Sequence, residues 1–120
     1  MSFTKVLSFN KILVHIFEFL IIRFPECKEL HYTFTKLKVG IDLSPKEPAL
    51  VFMEHALKHS FQIELRDETY FLEETKDDTI FKNFNIMEKY SKVSVEDKTF
   101  IWDQVQKLYK LGDLIILESC

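Results

Sequence analysis

Two histidines one helical turn apart are the best candidates for metal chemistry in this sequence. His55 and His59 are four residues apart, so they share a face of any helix that holds both. Two imidazoles placed in this way can bind one divalent ion. A helical zinc protease carries a glutamate directly after its first histidine, and Ala56 holds that position here. We therefore favour two surface histidines and keep a metal-binding protein as the alternative.

No pattern of residues predicts a nucleophile or a catalytic acid and base. Cys27 precedes His31 by four residues, but a Cys–His pair also needs an orienting group and an oxyanion hole. The adjacent acids Asp67 and Glu68 diverge by about 100° on a helix. With only 2 glycines, the chain has no glycine-rich phosphate loop or dinucleotide motif. The sequence predicts a protein that is not an enzyme, with no cofactor and no small-molecule substrate.

Charge and cysteine content restrict the partners and the compartment. The net charge of −3 argues against a general nucleic-acid binder, which needs a basic surface. A nucleic-acid accessory factor is therefore only a third hypothesis. Cys27 and Cys120 show no metal spacing and no disulfide framework, which predicts an intracellular, reducing compartment.

The apolar run from Ile12 to Phe24 raises the question of a targeting segment. His15 and Glu18 interrupt this run, and Pro25-Glu26-Cys27 follows it instead of a small-residue cleavage site. The sequence therefore predicts neither a signal peptide nor a membrane span.

The elements that hold these residues are expected to be helices. Few glycines and prolines and few tight-turn pairs favour helices joined by short loops over β-hairpins. We predict an all-α fold, with five or six helices in a single domain over residues 1–120. The expected ranges are 4–24, 26–39 with Gly40 as the C-cap, 44 to either 61 or 65, one or two short turns over 66–74, 78–91 and 94–117. A solvated acidic loop is expected over 73–78, and 41–43 is expected to be a loop.

The last helix has the clearest signals in the chain. Ser94 is expected to cap it, with Asp97 three residues later as the partner in a capping box. Trp102 is expected in the core. Gly112 lies near the middle of the apolar stripe, where it either lets a neighbouring helix approach closely or ends the helix. In the third helix, Leu50, Met53, Leu57 and Phe61 are expected to mark the inward face, with Ala56 beside it.

The first helix has apolar residues beyond its main stripe. Ile12, Phe19 and Ile22 fall on its polar side. A helix that is apolar over most of its circumference is either central in its own fold or half-buried in a partner. Both interpretations stay open. The second predicts self-association or binding of a protein partner through these three residues.

Four segments together carry a resemblance to a known group. They are Phe24-Pro25-Glu26, Ser44-Pro45-Lys46-Glu47-Pro48, Arg66-Asp67-Glu68-Thr69-Tyr70-Phe71-Leu72 and Asp97-Lys98-Thr99-Phe100-Ile101-Trp102. Their order resembles small, uncharacterised helical proteins encoded by nucleocytoplasmic large DNA viruses. The resemblance implies expression in a eukaryotic host, in its cytoplasm or in the virion. It transfers no activity and no functional residue. The hypothesis is a protein–protein interaction or structural protein.

Overall fold

The described part of the chain is built from α-helices. The structure is a computed structural model that describes residues 3–74 and 85–119. Its elements are α1 (Phe3–Arg23), α2 (Lys28–Leu43), α3 (Glu47–Ala56), a 3₁₀ turn (Leu57–His59), α4 (Ser60–Glu64), α5 (Thr69–Glu74), α6 (Ile86–Lys92) and α7 (Val95–Ser119). α3, the 3₁₀ turn and α4 follow one another without a loop, so we count them as one interrupted helix. The described residues then contain six helices. No strand occurs in these ranges, which confirms the all-α prediction.

The first and last helices form the central pair. α1 and α7 run antiparallel, because Arg23 at the end of α1 bonds to Asp97 at the start of α7. At the opposite end, Lys5 of α1 pairs with Glu118 of α7. Both helices supply side chains to one hydrophobic core. Their fully buried members include Phe9, Leu13, Phe17, Leu20, Leu108 and Ile115.

The other helices cover the core from the sides. Phe17 of α1 stacks on Phe34 of α2, and Phe9 of α1 meets Phe52 of α3 edge to face, with both ring pairs 5.8 Å apart. Tyr70 and Phe71 of α5 pack near Trp102, with ring centres 6.3 and 4.9 Å from it. Trp102 is buried, as expected.

The capping serine of α7 is confirmed. The backbone N–H of Asp97 donates to Ser94 Oγ over 3.1 Å. The carboxylate of Asp97 also reaches Arg23 on the neighbouring helix. The cap and the α1–α7 ion pair therefore meet at one residue.

Helix α2 ends later than expected. Gly40 was expected to stop the helix, but α2 runs from Lys28 to Leu43 and Ser44 N–H donates to Gly40 O over 2.8 Å. Gly40 has no positive φ, so it is an ordinary helical residue. A glycine stops a helix only when the chain turns there through the left-handed region. Here the helix continues through the segment expected to be a loop.

The inward face expected for the third helix is wrong for three of its four residues. Met53 is fully buried, but Leu50, Leu57 and Phe61 are exposed. The buried positions are Pro48, Ala49, Phe52, Met53, His55 and Ala56. This segment carries apolar residues on two sides, so periodicity alone does not choose between them. Met53 packs against Gly112 of α7, and this contact turns the side that carries Phe52 and Met53 toward the core.

Part of the predicted fifth helix is present as α6. Asn85 adopts a left-handed conformation with φ of 50°, and its side chain accepts from Glu88 N–H. Two predictions lie partly outside the described ranges: the helix over 78–91 and the acidic loop over 73–78. Cys120 also lies outside them. No described helix is long and apolar enough to cross a membrane.

Candidate functional site

An exposed apolar stripe runs along α3, the 3₁₀ turn and α4. It consists of Leu50, Leu57, Phe61 and Leu65, which are 39%, 47%, 78% and 78% exposed. Successive members are seven, four and four residues apart along a helix that the 3₁₀ turn Leu57–His59 interrupts. We call these residues the α3–α4 stripe. The fold leaves all four of these large apolar side chains exposed to solvent.

Polar contacts to α7 hold the end of this stripe in place. Gln106 Nε2 donates to Ile63 O over 3.0 Å, and Arg66 donates to Gln106 Oε1 over 2.8 Å. Arg66 also forms an ion pair with Asp103. Arg66 has a φ of 54°, so the chain turns sharply just after Leu65. The α3–α4 stripe therefore lies on a segment that these polar contacts hold against α7.

Acidic side chains dominate the borders of the α3–α4 stripe. Glu47, Glu54 and Glu64 are exposed on this segment, and Lys58 is the exposed cation among them. A partner for this surface needs an apolar row with basic borders, because complementary charges steer and orient association.

A second exposed apolar stripe lies on α2. Tyr32, Val39 and Leu43 are 63%, 53% and 81% exposed. We call these residues the α2 stripe. Lys36 Nζ lies 5.5 Å from the centre of the Tyr32 ring, so a cation sits within this row. The sequence analysis did not predict this stripe, although its spacing of seven and four residues is typical of one side of a helix.

The three residues proposed on α1 do not form one exposed patch. Ile22 is 72% exposed, while Ile12 and Phe19 are half-buried against the core. The Phe19 ring lies 4.6 Å from the Phe100 ring of α7, and Arg23 Cζ lies 3.9 Å from the Phe19 ring centre. Phe19 thus faces the seam between α1 and α7. Only Ile22 of the three is open to a partner.

The histidine pair lies between α3 and α5. His55 is 4% exposed, so the expectation of two surface histidines is wrong for His55. Its ring centre is 4.5 Å from that of His59 and 5.5 Å from that of Tyr70. His59 Nδ1 lies 2.7 Å from Gln62 Oε1, and because an amide oxygen only accepts, the imidazole N–H is the donor in this hydrogen bond. The structure therefore brings the two rings together, as their spacing predicts.

A chain of hydrogen bonds leads from this pair to the start of α5. Gln62 Nε2 donates to Thr69 Oγ1 over 2.8 Å, and the Thr69 hydroxyl donates to Asp67 Oδ1 over 2.8 Å. Thr69 N–H also donates to Asp67. These two donors lower the pKa of Asp67. The chain fixes α5, and so Tyr70, against the histidines.

The described residues contain no group of three or more histidine, cysteine or acidic side chains placed to hold a metal ion. Cys27 and His31 also point to separate partners: the thiol donates to Glu29 over 3.7 Å, and His31 Nε2 lies 2.8 Å from Pro25 O. Within the described residues, Cys27 and His31 therefore form no side-chain hydrogen bond of the kind that activates a nucleophile.

Comparison with known protein families, curated proteins and solved structures found no match to this chain. The described residues form an all-α domain that exposes the α3–α4 stripe and the α2 stripe to solvent.

Proposed function

We propose that this chain is a non-enzymatic interaction or structural protein that binds a protein partner through exposed apolar helix faces. The observation that carries the proposal is the α3–α4 stripe, in which Phe61 and Leu65 are each 78% exposed. Contiguous exposed apolar patches on soluble domains commonly mark interaction sites. Rows spaced by four and seven residues are typical of helix recognition.

The exposure of the apolar side chains favours α3 and α4 over α1 as the site of this proposed contact. Ile12 and Phe19 are already partly buried against the core. Their further burial by a partner would therefore add little to the binding free energy. Ile22 remains an exposed apolar contact on α1. It serves as a separate test of the first-helix hypothesis.

Affinity capture with a matched set of variants tests this proposal. Wild-type, Phe61→Asp and Val95→Asp proteins are immobilised and exposed to extract from the cells that make the protein, and retained proteins are identified by mass spectrometry. Val95 is 74% exposed but belongs to neither stripe. We expect a partner that the wild type and Val95→Asp retain and Phe61→Asp loses. Identical retention by all three proteins contradicts the proposal.

The sequence resemblance to helical proteins of large DNA viruses supports a virion-associated structural role within this proposal. Proteomic analysis of purified particles tests it where a virus is found to encode this chain. Absence of the chain from particles in which other structural proteins are detected would argue against it.

A metal-binding function is the second candidate, and the 4.5 Å separation of the His55 and His59 rings favours it. An ion that binds the folded state but not the unfolded state stabilises the fold, and the stabilisation grows with the logarithm of its free concentration relative to Kd. Zinc should then raise the thermal midpoint of the wild type but not that of His59→Ala. No metal in the purified protein, and no change with zinc or with chelator, would end this candidate.

A further inference from the structure

We propose that the partner of the α3–α4 stripe is a second copy of this chain, which contributes its α2 stripe. This inference rests on the proposed function, because it names the partner for the surface described there. The spacing of the two rows, their border charges and their combined area support it.

The α2 stripe and the first three residues of the α3–α4 stripe share the same sequence spacing. Tyr32, Val39 and Leu43 are separated by seven and four residues, and Leu50, Leu57 and Phe61 repeat these two intervals. The α2 stripe extends about 16 Å along its helix at about 1.5 Å per residue. The α3–α4 stripe continues one step further, to Leu65, so it is long enough to cover the whole α2 stripe.

The exposed charges near the two stripes are mainly of opposite sign. On α2 three lysines outnumber two acids, and over residues 47–64 three glutamates outnumber one lysine. The α2 charges are Lys28, Lys36 and Lys38 against Glu29 and Asp42, and those of the other segment are Glu47, Glu54 and Glu64 against Lys58.

Pairing of unlike stripes brings these groups together as ion pairs. Pairing of a stripe with its own kind brings lysine near lysine or glutamate near glutamate, which is unfavourable. The charges therefore select contact between the α2 stripe of one copy and the α3–α4 stripe of another.

The combined area is of the size that a stable association needs. The seven side chains of the two stripes are between 39% and 81% exposed. Together they present on the order of 800 Å², about what each partner buries in a standard interface. A pair in which each copy uses both stripes covers all of this surface. A contact that does not close in this way forms a chain of copies instead.

Analytical ultracentrifugation of the full-length protein and two variants tests the inference. Leu43→Asp breaks the α2 stripe, and Phe61→Asp breaks the α3–α4 stripe. Both side chains are exposed, so the variants should keep the wild-type thermal midpoint and circular dichroism. Leu65→Asp, at a second exposed position, replaces Phe61→Asp if that variant unfolds.

We expect the wild-type mass to rise above that of a monomer as concentration increases, and each variant alone to associate at least tenfold more weakly. An equal mixture of Leu43→Asp and Phe61→Asp should associate again, because one variant keeps an intact α3–α4 stripe and the other an intact α2 stripe. This recovery is specific to contact between unlike stripes.

Four results overturn the inference: a monomer at every concentration, unchanged association of the variants, no recovery in the mixture, or loss of association only with Ile22→Asp. None of these decides the proposed function, which the capture experiment tests independently. A monomer that still captures a partner through Phe61 would retain the function and reject the second copy. Val95→Asp is the matched control and should associate like the wild type.

Discussion

Met53 of α3 occupies the space where Gly112 of α7 would carry a side chain. A Cβ built on Gly112 would lie 2.5 Å from Met53 Sδ and 2.6 Å from its Cγ. The missing side chain lets α3 approach α7 closely, which confirms the first of the two interpretations of Gly112. α7 also continues past this glycine to Ser119, so Gly112 does not end the helix.

Gly112→Ala should lower the free energy of unfolding in the wild type and raise it when Met53 is replaced by alanine. In the wild type we expect a loss of about 1 kcal/mol, because overpacking costs about 1–3 kcal/mol and better helix propensity offsets about 1 kcal/mol. In a Met53→Ala background the space is empty, so the same change should stabilise by up to about 1 kcal/mol. Urea unfolding of the four proteins measures this coupling. Equal effects in both backgrounds would show that Met53 does not fill the Gly112 position.

Tyr90→Phe should destabilise the core near the only tryptophan. Trp102 Nε1 donates to the Tyr90 hydroxyl over 2.9 Å, and both side chains are buried. Removal of the acceptor leaves a buried N–H without a partner, which costs about 1–3 kcal/mol. Equilibrium unfolding followed by tryptophan fluorescence measures the loss. Tyr109→Phe, at a half-buried tyrosine on α7, is the control and should change stability by less than about 0.5 kcal/mol.

Phe52→Ala and Phe61→Ala should differ strongly in their effect on stability. Phe52 is 2% exposed, and Phe61 is 78% exposed. Truncation of a buried phenylalanine costs about 3–5 kcal/mol, whereas a change at an exposed site stays within about 0.5 kcal/mol. Thermal and urea unfolding of the two variants compares them directly, at a protein concentration low enough to avoid association. The reverse order would mean that α3 and α4 bury the face that periodicity predicts.

The Arg23–Asp97 contact should make stability depend on pH in the acid range. Hydrogen bonds from Arg23 lower the pKa of Asp97 from its usual 3.8, and they raise the pKa of Arg23. A lowered folded-state pKa gives stabilisation that is present above the unfolded-state pKa and is lost as pH falls through the folded-state value.

Asp97→Asn should therefore be less stable than the wild type at neutral pH, with the difference shrinking as pH falls below 3.8. Unfolding free energies of both proteins between neutral and acid pH measure this trend. Glu96→Gln, at the exposed neighbouring acid, separates the ion pair from a general charge effect. A difference that stays constant down to acid pH would mean that the pair is not formed in solution.

The candidate surface was only partly readable from the sequence. The residues of the α3–α4 stripe stood out as an apolar row, but periodicity placed Leu50, Leu57 and Phe61 inside. Their regular spacing fits either a buried or an exposed face, because spacing defines a row and not its partner. For the same reason Phe19 looked available on α1, although it packs on Phe100 across the seam with α7. His55 and His59 were correctly expected to be adjacent, since four residues on a helix fix their separation.

The sequence by itself determined the helical class, the cap at Ser94 and the burial of Trp102. These follow from local chemistry: a hydroxyl that accepts from a first-turn N–H, few turn residues, and strong apolar stripes in α1 and α7. Only the tertiary structure decided which face of α3 is buried, where α2 ends and which apolar residues reach solvent. Those outcomes depend on contacts between residues far apart in the chain, above all the fit of Met53 against Gly112.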